Sequence, residues 1–318
     1  MRTTGSRGSQ PTTGYRTNMA TPTPTKSKGL RYKTLMAWLF TLPGFIAQLV
    51  FGWLPVLFSF VVSFQKYYFI KEPEFVGVQN FKDVAIDPLV ITAFQNTLYF
   101  AALSIGLTFA LPIFVSILLM EMSRRTIRIM MILWFIPVAS TAGIAIWKYM
   151  YHPNLGLMNG IMHRIGLPEL KWLDDPNLAM FSLILPGLIL FGPGLIYIAA
   201  LQNVPEELYE AAEMEGASIA RKIWFITLPR LRPIIAMMLL FSIIGSMQVF
   251  ELPFIMTGGG PGYATTTVVM YIYSLAFGAY NLGKATALAI VLFGVIMAMV
   301  FVQRRYFPEN IDETQSRA

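Results

Sequence analysis

Long stretches without a charged residue dominate this sequence. The first covers residues 34–65, and roughly 20 apolar helical residues are enough to cross a hydrocarbon core about 30 Å thick. Further uncharged apolar stretches cover residues 89–120, 129–147, 177–204, 233–250 and 285–303. We therefore predict an all-α membrane protein with six transmembrane helices at about residues 35–64, 91–119, 129–150, 178–202, 233–256 and 284–303.

The composition excludes several other classes of protein. Only 13% of the residues are charged, against about 25% in an ordinary soluble domain. The mean hydropathy of +0.58 excludes a disordered chain, and the absence of cysteine excludes a disulfide framework or a thiolate metal site. His152 and His163 have no third ligand near them in sequence, so we expect no metal site.

The positive charges indicate the orientation in the membrane. With the N-terminus inside, 17 Lys and Arg residues fall in cytoplasmic segments and 7 in outer segments, as the positive-inside rule requires. The net charge of +7 is thus a topology signal, and we expect no nucleic-acid partner. Both termini are predicted to be cytoplasmic, with a disordered basic tail at residues 1–33, the transmembrane domain at 34–306 and a second tail at 307–318.

A further uncharged stretch, residues 264–281, is not counted as a span. It follows a glycine-rich turn, contains Thr265, Thr266 and Thr267, and is rich in tyrosine, which favours the membrane interface. We predict an interfacial or partly re-entrant helix on the outer side. A seventh span would also place Arg304 and Arg305 outside.

The cytoplasmic loop at residues 203–232 has the most local organisation. Asn203 can cap a helix whose first turn contains Pro205, Glu206 and Glu207, residues that suit a helix N-terminus. Gly216 is placed to end this helix in a left-handed conformation, and a second short helix is predicted to start near Ser218.

This loop resembles that of a known family. Glu210, Ala211, Ala212, Gly216, Ile226, Leu228 and Pro229 match the EAA motif of binding-protein-dependent ABC importer permeases. The resemblance implies the type I permease fold, with this loop docking into a separate dimeric ATPase that binds ATP and magnesium. It also implies an extracytoplasmic solute-binding protein, a second permease subunit, favouring a homologous different chain, and the plasma membrane of a bacterium or archaeon.

A second resemblance concerns the solute. Thr257 followed by Gly258, Gly259, Gly260, Pro261 and Gly262 resembles the outer loop of carbohydrate permeases of the maltose and glycerol-phosphate type. Residues 75–81 and Asn96-Thr97-Leu98 fit the same branch. The resemblance implies import of a mono- or oligosaccharide or a glycerol-phosphate-like solute. Import of a non-sugar solute and ion-coupled secondary transport are the alternatives, and the second would need intramembrane charge pairs and inverted repeats.

Neither ATP hydrolysis nor other enzyme chemistry is expected of this chain. It has no G-x-x-x-x-G-K-[ST] motif to hold nucleotide phosphates, and no set of nucleophile, base and orienting group is visible. The chain itself is expected to bind no cofactor.

Three polar residues are candidates for contact with the solute. Glu251 is an ionisable group predicted within a span, which makes it a functional candidate by default. Gln248 precedes it by three residues and should share its helical face, and Asn96 lies in the second span. An interfacial or structural role for Glu251 is the alternative.

Overall fold

The computed structural model describes residues 28–68, 72–120, 122–134, 141–189 and 194–307. The α-helices of this part of the chain are α1 (Lys28–Ala47), α2 (Leu54–Val62), α3 (Gln79–Ile86), α4 (Pro88–Thr108), α5 (Leu111–Met120), α6 (Arg124–Trp134), α7 (Thr141–Met150), α8 (Leu157–Arg164), α9 (Pro176–Ile189), α10 (Leu195–Leu201), α11 (Glu206–Met214), α12 (Ile219–Lys222), α13 (Leu228–Met247), α14 (Glu251–Met256), α15 (Val268–Tyr273) and α16 (Leu282–Tyr306). Gln48–Trp53, Ile223–Thr227 and Ser274–Gly278 are π-helical. The antiparallel strands β1 (Gln65–Lys66) and β2 (Glu74–Phe75) are a small addition to the predicted all-α fold.

Four helical stretches of the described residues are long and apolar enough to cross a membrane: Leu35–Val62, Pro88–Met120, Ile219–Met256 and Leu282–Tyr306. They coincide with the predicted first, second, fifth and sixth spans. The predicted third and fourth spans are helical on both sides of residues 135–140 and 190–193, which lie outside the described residues. Their continuity therefore stays a prediction.

The chain divides into two compact units between Val56 and Leu57. In the first unit, α1 begins at Lys28, so the prediction of disorder is wrong for residues 28–33. Lys and Arg are good helix formers, and the basic residues before the apolar stretch continue its helix. Residues 1–27 and 308–318 of the predicted tails lie outside the described residues.

The core of the second unit lies where α4, α13, α15 and α16 meet. Its fully buried members include Ala93, Met247, Val268, Ala287 and Leu288. Lipid tails are as apolar as these side chains, so membrane helices associate through close packing, which small residues such as alanine permit. This packing holds the helices that line the candidate site.

The fifth predicted span is interrupted. Helix α13 ends at Met247, and α14 begins at Glu251 after three non-helical residues. The prediction that Gln248 and Glu251 share a face of one helix is therefore wrong. The break is held by Thr267, whose hydroxyl donates to the carbonyl of Val249 at 2.8 Å, because a carbonyl freed within a membrane helix needs a substitute donor.

The stretch 264–281 forms α15 and the π-helical turn that follows it. Together they cover Val268–Gly278, and 11 helical residues rise only about 16 Å, roughly half the thickness of the hydrocarbon core. This element is too short for a seventh crossing. Its position on the outer side stays a prediction.

The segment after the first span is fastened to its neighbours by Asn80. The buried side-chain amide of Asn80 donates to the carbonyls of Ser63 at 2.8 Å and Gln65 at 2.9 Å. The backbone amide of Leu282 donates to the carbonyl of Tyr67 at 3.0 Å. These bonds join the end of the first span, α3 and the start of α16.

Candidate functional site

A cavity of about 260 Å³ opens between α4 and α13. The residues that line it are Phe100, Ser104, Ile105, Thr108, Phe109, Ser242, Gly245 and Ser246. Both helices thus contribute a pair of hydroxyl residues four positions apart, which places each pair on one helical face. The cavity combines hydroxyl groups with aromatic and aliphatic side chains.

Two of the four hydroxyls of this cavity are bonded to their own helices. Thr108 donates to the carbonyl of Ser104 at 2.7 Å, and Ser246 donates to the carbonyl of Ile243 at 3.1 Å. A hydroxyl that has given its proton to the backbone keeps lone pairs that can accept a hydrogen bond. The cavity wall therefore offers acceptors to a solute that carries hydroxyl donors.

Asn96 lies outside this cavity and fastens the segment after the glycine-rich loop to α4. Its side-chain amide donates to the carbonyl of Tyr263 at 2.7 Å and to that of Thr266 at 3.0 Å. The next residue, Thr97, accepts a hydrogen bond from the backbone amide of Val268 at 3.0 Å. Both side-chain amide hydrogens of Asn96 are thus engaged in holding the loop.

Gln248 and Glu251 flank the helix break and are exposed. The wall of the hydroxyl-lined cavity does not include Asn96, Gln248 or Glu251. The cavity's signal was nevertheless in the sequence, as hydroxyl residues repeated at a spacing of four in two uncharged stretches. Nothing in the sequence indicates that these two stretches are neighbours.

The glycine-rich loop is folded tightly on the three threonines that follow it. Thr265 donates to the carbonyl of Gly260 at 2.8 Å, and Thr266 donates to that of Gly259 at 3.0 Å. Gly259 has a φ of 90°, and a side chain there would collide with the Thr266 hydroxyl. The backbone is left-handed at Gly258 and Gly262 also, so the loop has a defined conformation that a chain without these glycines would not adopt.

An ion pair beside this loop had not been predicted. Asp87 accepts hydrogen bonds from Lys284 and from the hydroxyl of Tyr271, each at 2.7 Å, and from the amide of Leu89 at 2.9 Å. Burial, the largest single influence, raises the pKa of Asp87, but these bonds together outweigh it and the net pKa is lowered. Burial, and then the bond to Asp87, raise the pKa of Tyr271. The carboxylate thus joins the starts of α4 and α16 to α15.

The helix predicted in the cytoplasmic loop is present as α11, and it ends as expected. Gly216 has a φ of 74°, its amide bonds to the carbonyl of Glu213, and the amide of Ala217 bonds to that of Ala212. These two bonds form a Schellman motif, which satisfies the last carbonyls of a helix. Ser218 caps α12 through the amide of Arg221, at the predicted position.

The start of α11 differs from the prediction. The helix begins at Glu206, and Asn203 donates instead to the carbonyl of Ala199 at 2.8 Å. Asn203 therefore closes the end of α10, and the prediction that it caps the loop helix is wrong. Acidic residues Glu206 and Glu207 do occupy the first turn of α11.

Helix α11 is tied to the base of α13 and leaves apolar side chains exposed. The hydroxyls of Tyr209 and Thr227 are 3.1 Å apart, and Lys222 pairs with Glu213 at 2.7 Å. Met214 is 91% exposed and Phe225 77%. These exposed apolar side chains belong to the loop that carries the EAA motif.

Comparison with known proteins decides the family. The family model described as binding-protein-dependent transport system inner membrane component matches residues 90–309. The chain belongs to this family. It is a permease, a membrane-embedded transport subunit, and the matched region extends from α4 through α16.

Curated relatives of this permease are similar over most of their length. It is 32% identical over 283 residues to the trehalose/maltose transport system permease protein MalF of Thermococcus litoralis, covering 86% of this chain and 94% of the relative. It is 34% identical over 240 residues to the sulfoquinovosyl glycerol transport system permease protein SmoG of Agrobacterium fabrum, covering 73% of this chain and 76% of the relative. It is 30% identical over 291 residues to the probable ABC transporter permease protein YurN of Bacillus subtilis, covering 88% of this chain and 98% of the relative.

Among solved structures, the permease is similar to a chain in the crystal structure of a bacterial alginate ABC transporter in complex with an alginate pentasaccharide-bound periplasmic protein. The TM-score is 0.76 at 25% identity, and the match covers 90% of this permease and 98% of that chain. The permease fold implied by the EAA motif is confirmed.

His152 has a local role in this permease. Its Nδ1 atom accepts hydrogen bonds from the amides of Asn154 at 3.3 Å and Leu155 at 3.2 Å. The ring nitrogen thus caps the turn that follows α7. Among the described residues, no group of His, Asp and Glu is arranged to hold a metal ion.

Proposed function

We propose that this permease carries a carbohydrate across the membrane, driven by a separate ATPase, and that the cavity between α4 and α13 is where the solute is held. The observation that carries the proposal is the pair of hydroxyl residues on each of these two helices. Relatives named as permeases for trehalose/maltose, arabinooligosaccharides and sulfoquinovosyl glycerol support a carbohydrate solute.

The chemistry of the cavity suits an uncharged, hydroxyl-rich solute. Serine and threonine oxygens accept hydrogen bonds from sugar hydroxyls, and Phe100 and Phe109 offer apolar faces to the sugar's C–H groups. The cavity wall contains neither acidic nor basic side chains. A charged solute would have no counter-charge there, and leaving a charge unpaired in a low-dielectric site is costly.

Coupling to the ATPase is assigned to the loop at residues 203–232. Glu210, Ala211, Ala212 and Gly216 lie on or just after α11, and Ile226, Leu228 and Pro229 lie at the base of α13. The exposed Met214, Trp224 and Phe225 supply the apolar contact area. Since α12, the π-helical turn and α13 follow one another without a break, a force on this surface reaches the cavity-lining helix directly.

Our proposal includes the other components of the importer. An extracytoplasmic binding protein delivers the solute, a second and different permease chain completes the pathway, and the ATPase dimer binds ATP and magnesium. The loop at residues 203–232 and both termini face the cytoplasm of a bacterial or archaeal cell. The Lys and Arg distribution in the sequence supports this orientation.

Uptake by the reconstituted importer tests the proposal. The permease, its partner permease, the ATPase and the binding protein would be placed in liposomes with ATP on the ATPase side. Uptake of radiolabelled trehalose, maltose or arabinotriose is expected only with ATP and the binding protein present. Uptake of histidine instead of every sugar would overturn the carbohydrate assignment, and sugar uptake driven by a proton gradient without ATP would overturn the importer mechanism.

A further inference from the structure

A row of aromatic rings runs from the helix break to the outer loop. The rings of Phe250 and Phe254 are stacked with centroids 4.9 Å apart, Tyr273 lies 5.3 Å and 5.5 Å from them, and Phe277 lies 5.0 Å beyond Tyr273. Phe254 is 44%, Tyr273 42% and Phe277 58% exposed. We call these four residues the aromatic row.

The aromatic row lines one cavity and begins near the other in sequence. Its inner end, Phe250, lies four residues after Ser246, which lines the hydroxyl-lined cavity. Its other members, Phe254, Tyr273 and Phe277, line a second cavity of about 640 Å³ beneath the glycine-rich loop. The aromatic row thus leads from the helix break, which follows the cavity-lining end of α13, to the second cavity.

The second cavity has polar groups beside its rings. Tyr263 and Ser274 belong to its wall, and among the residues that the structure describes their hydroxyls have no hydrogen-bond partner. Gly258 and Gly262 present bare backbone there, with open space where a side chain would stand. Aromatic faces alternating with free hydroxyls and backbone groups suit a pyranose ring, which has apolar C–H faces and polar edges.

The aromatic row differs from the exposed aromatic residues of α16. Phe293 and Phe301 are 64% and 73% exposed. They lie in the uncharged apolar stretch of α16, residues 285–303, without hydroxyl side chains between them, as a lipid-facing surface requires. The aromatic row is instead flanked by the exposed Gln248 and Glu251 at its inner end. Polar groups of this kind favour a polar solute over a lipid chain.

We propose that the aromatic row is a track along which the carbohydrate passes from an entry site under the glycine-rich loop to the hydroxyl-lined cavity. Successive rings stack on successive faces of the sugar, so the solute exchanges one ring contact for the next without becoming fully hydrated. The inference rests on the proposed carbohydrate transport and adds an entry site and a path to it.

The experiment compares ring-removing and ring-retaining variants in the reconstituted importer with radiolabelled trehalose, maltose and arabinotriose. Tyr273→Leu and Phe277→Leu are expected to raise the KM for uptake about 3- to 10-fold each, the value of a lost aromatic contact. Tyr273→Phe and Phe277→Tyr keep a ring and are expected to retain KM within about twofold. Phe293→Leu, the same change on α16, is the matched control and is expected to leave KM unchanged.

Each outcome separates the track from the proposed function. If the wild type takes up sugar and both leucine variants have an unchanged KM, the track is overturned but the proposed function stands. Loss of the partner permease on purification of either leucine variant would identify the aromatic row as a subunit interface and would also overturn the track. Failure of the wild type to take up any of the three sugars would remove the proposed function, and the track with it.

Discussion

Lys284 Nζ lies 2.7 Å from Asp87 Oδ2, across 197 residues of sequence. Asp87 precedes α4 and Lys284 lies in the first turn of α16, so this ion pair fixes the relative position of two membrane helices at one end. Tyr271 adds α15 to the same carboxylate. The pair is mostly shielded from solvent, since the side chain of Lys284 is 20% exposed and that of Asp87 13%. It therefore differs from solvent-exposed ion pairs, which contribute little to stability.

Replacement of the Asp87 carboxylate is expected to destabilise this end of the bundle. Asp87→Asn leaves Lys284 without its counter-charge, and the loss of such charged hydrogen bonds costs about 1–3 kcal/mol of unfolding free energy. Thermal unfolding in detergent would measure it. Asp83→Asn is the matched control, since Asp83 is bonded to Gln79 on the same helix, and a loss as large as that of Asp87→Asn would contradict the prediction.

The pH dependence of stability follows from the lowered pKa of Asp87. A carboxyl group whose pKa is lower when folded contributes stability fully above its ordinary value of 3.8, and loses it as the pH falls through the folded value. The difference in melting temperature between wild type and Asp87→Asn is therefore expected to stay constant from about pH 7 to about pH 5, and to shrink below about pH 4. If the difference in melting temperature instead grew as the pH fell, the sign would be opposite, and a lowered pKa of Asp87 could not be the cause.

Gly216→Ala is expected to impair coupling. A left-handed conformation costs an alanine about 1–2 kcal/mol relative to glycine, so the end of α11 would be strained and its exposed apolar surface displaced. We expect lower sugar-stimulated ATP hydrolysis by the reconstituted importer, with the ATPase subunit bound more weakly. Gly294→Ala is the control, because Gly294 lies within α16 with open space around it; equal effects of the two changes would argue against a specific role for Gly216.

The hydroxyls of the cavity are expected to contribute to solute affinity. Ser242→Ala and Ser246→Ala each remove one acceptor, and a hydrogen bond of about 1 kcal/mol corresponds to a change in KM of about fivefold. Kinetics of sugar uptake would measure the change. Ser182→Ala is the control, because its hydroxyl is bonded to its own helix, α9, and lies outside the cavity wall. A similar KM for all three variants would show that the cavity does not hold the solute.

Local features of this fold were predictable and non-local ones were not. The end of α11 at Gly216 and the cap at Ser218 are encoded by neighbouring residues, and the long apolar helices are encoded by uninterrupted hydropathy. The interruption after Met247 is only partly indicated by its neighbours, Gly245 and Pro253, although Pro253 has no amide to donate to the carbonyl of Val249. It depends on a hydroxyl at Thr267, which the sequence places 18 residues away.

The candidate site shows the same division. Asn96 was recognised as a polar residue in a span that needs a partner, but its partners, the carbonyls of Tyr263 and Thr266, lie about 170 residues further on. The cavity depends on the pairing of α4 with α13, which no local pattern specifies. Amide and carboxylate side chains were the candidates in the sequence, whereas the polar groups of the cavity wall are the hydroxyls of three serines and a threonine.

The bond from Thr267 to the carbonyl of Val249 links the segment that follows the glycine-rich loop to the helix break. Separating them would strip a membrane-helix carbonyl of its donor, at a cost of several kcal/mol. A movement of the loop is therefore expected to carry Val249 along, and Val249 lies three residues after Ser246 and two residues after the end of α13. A displacement of the loop would in this way reach the part of α13 that lines the cavity.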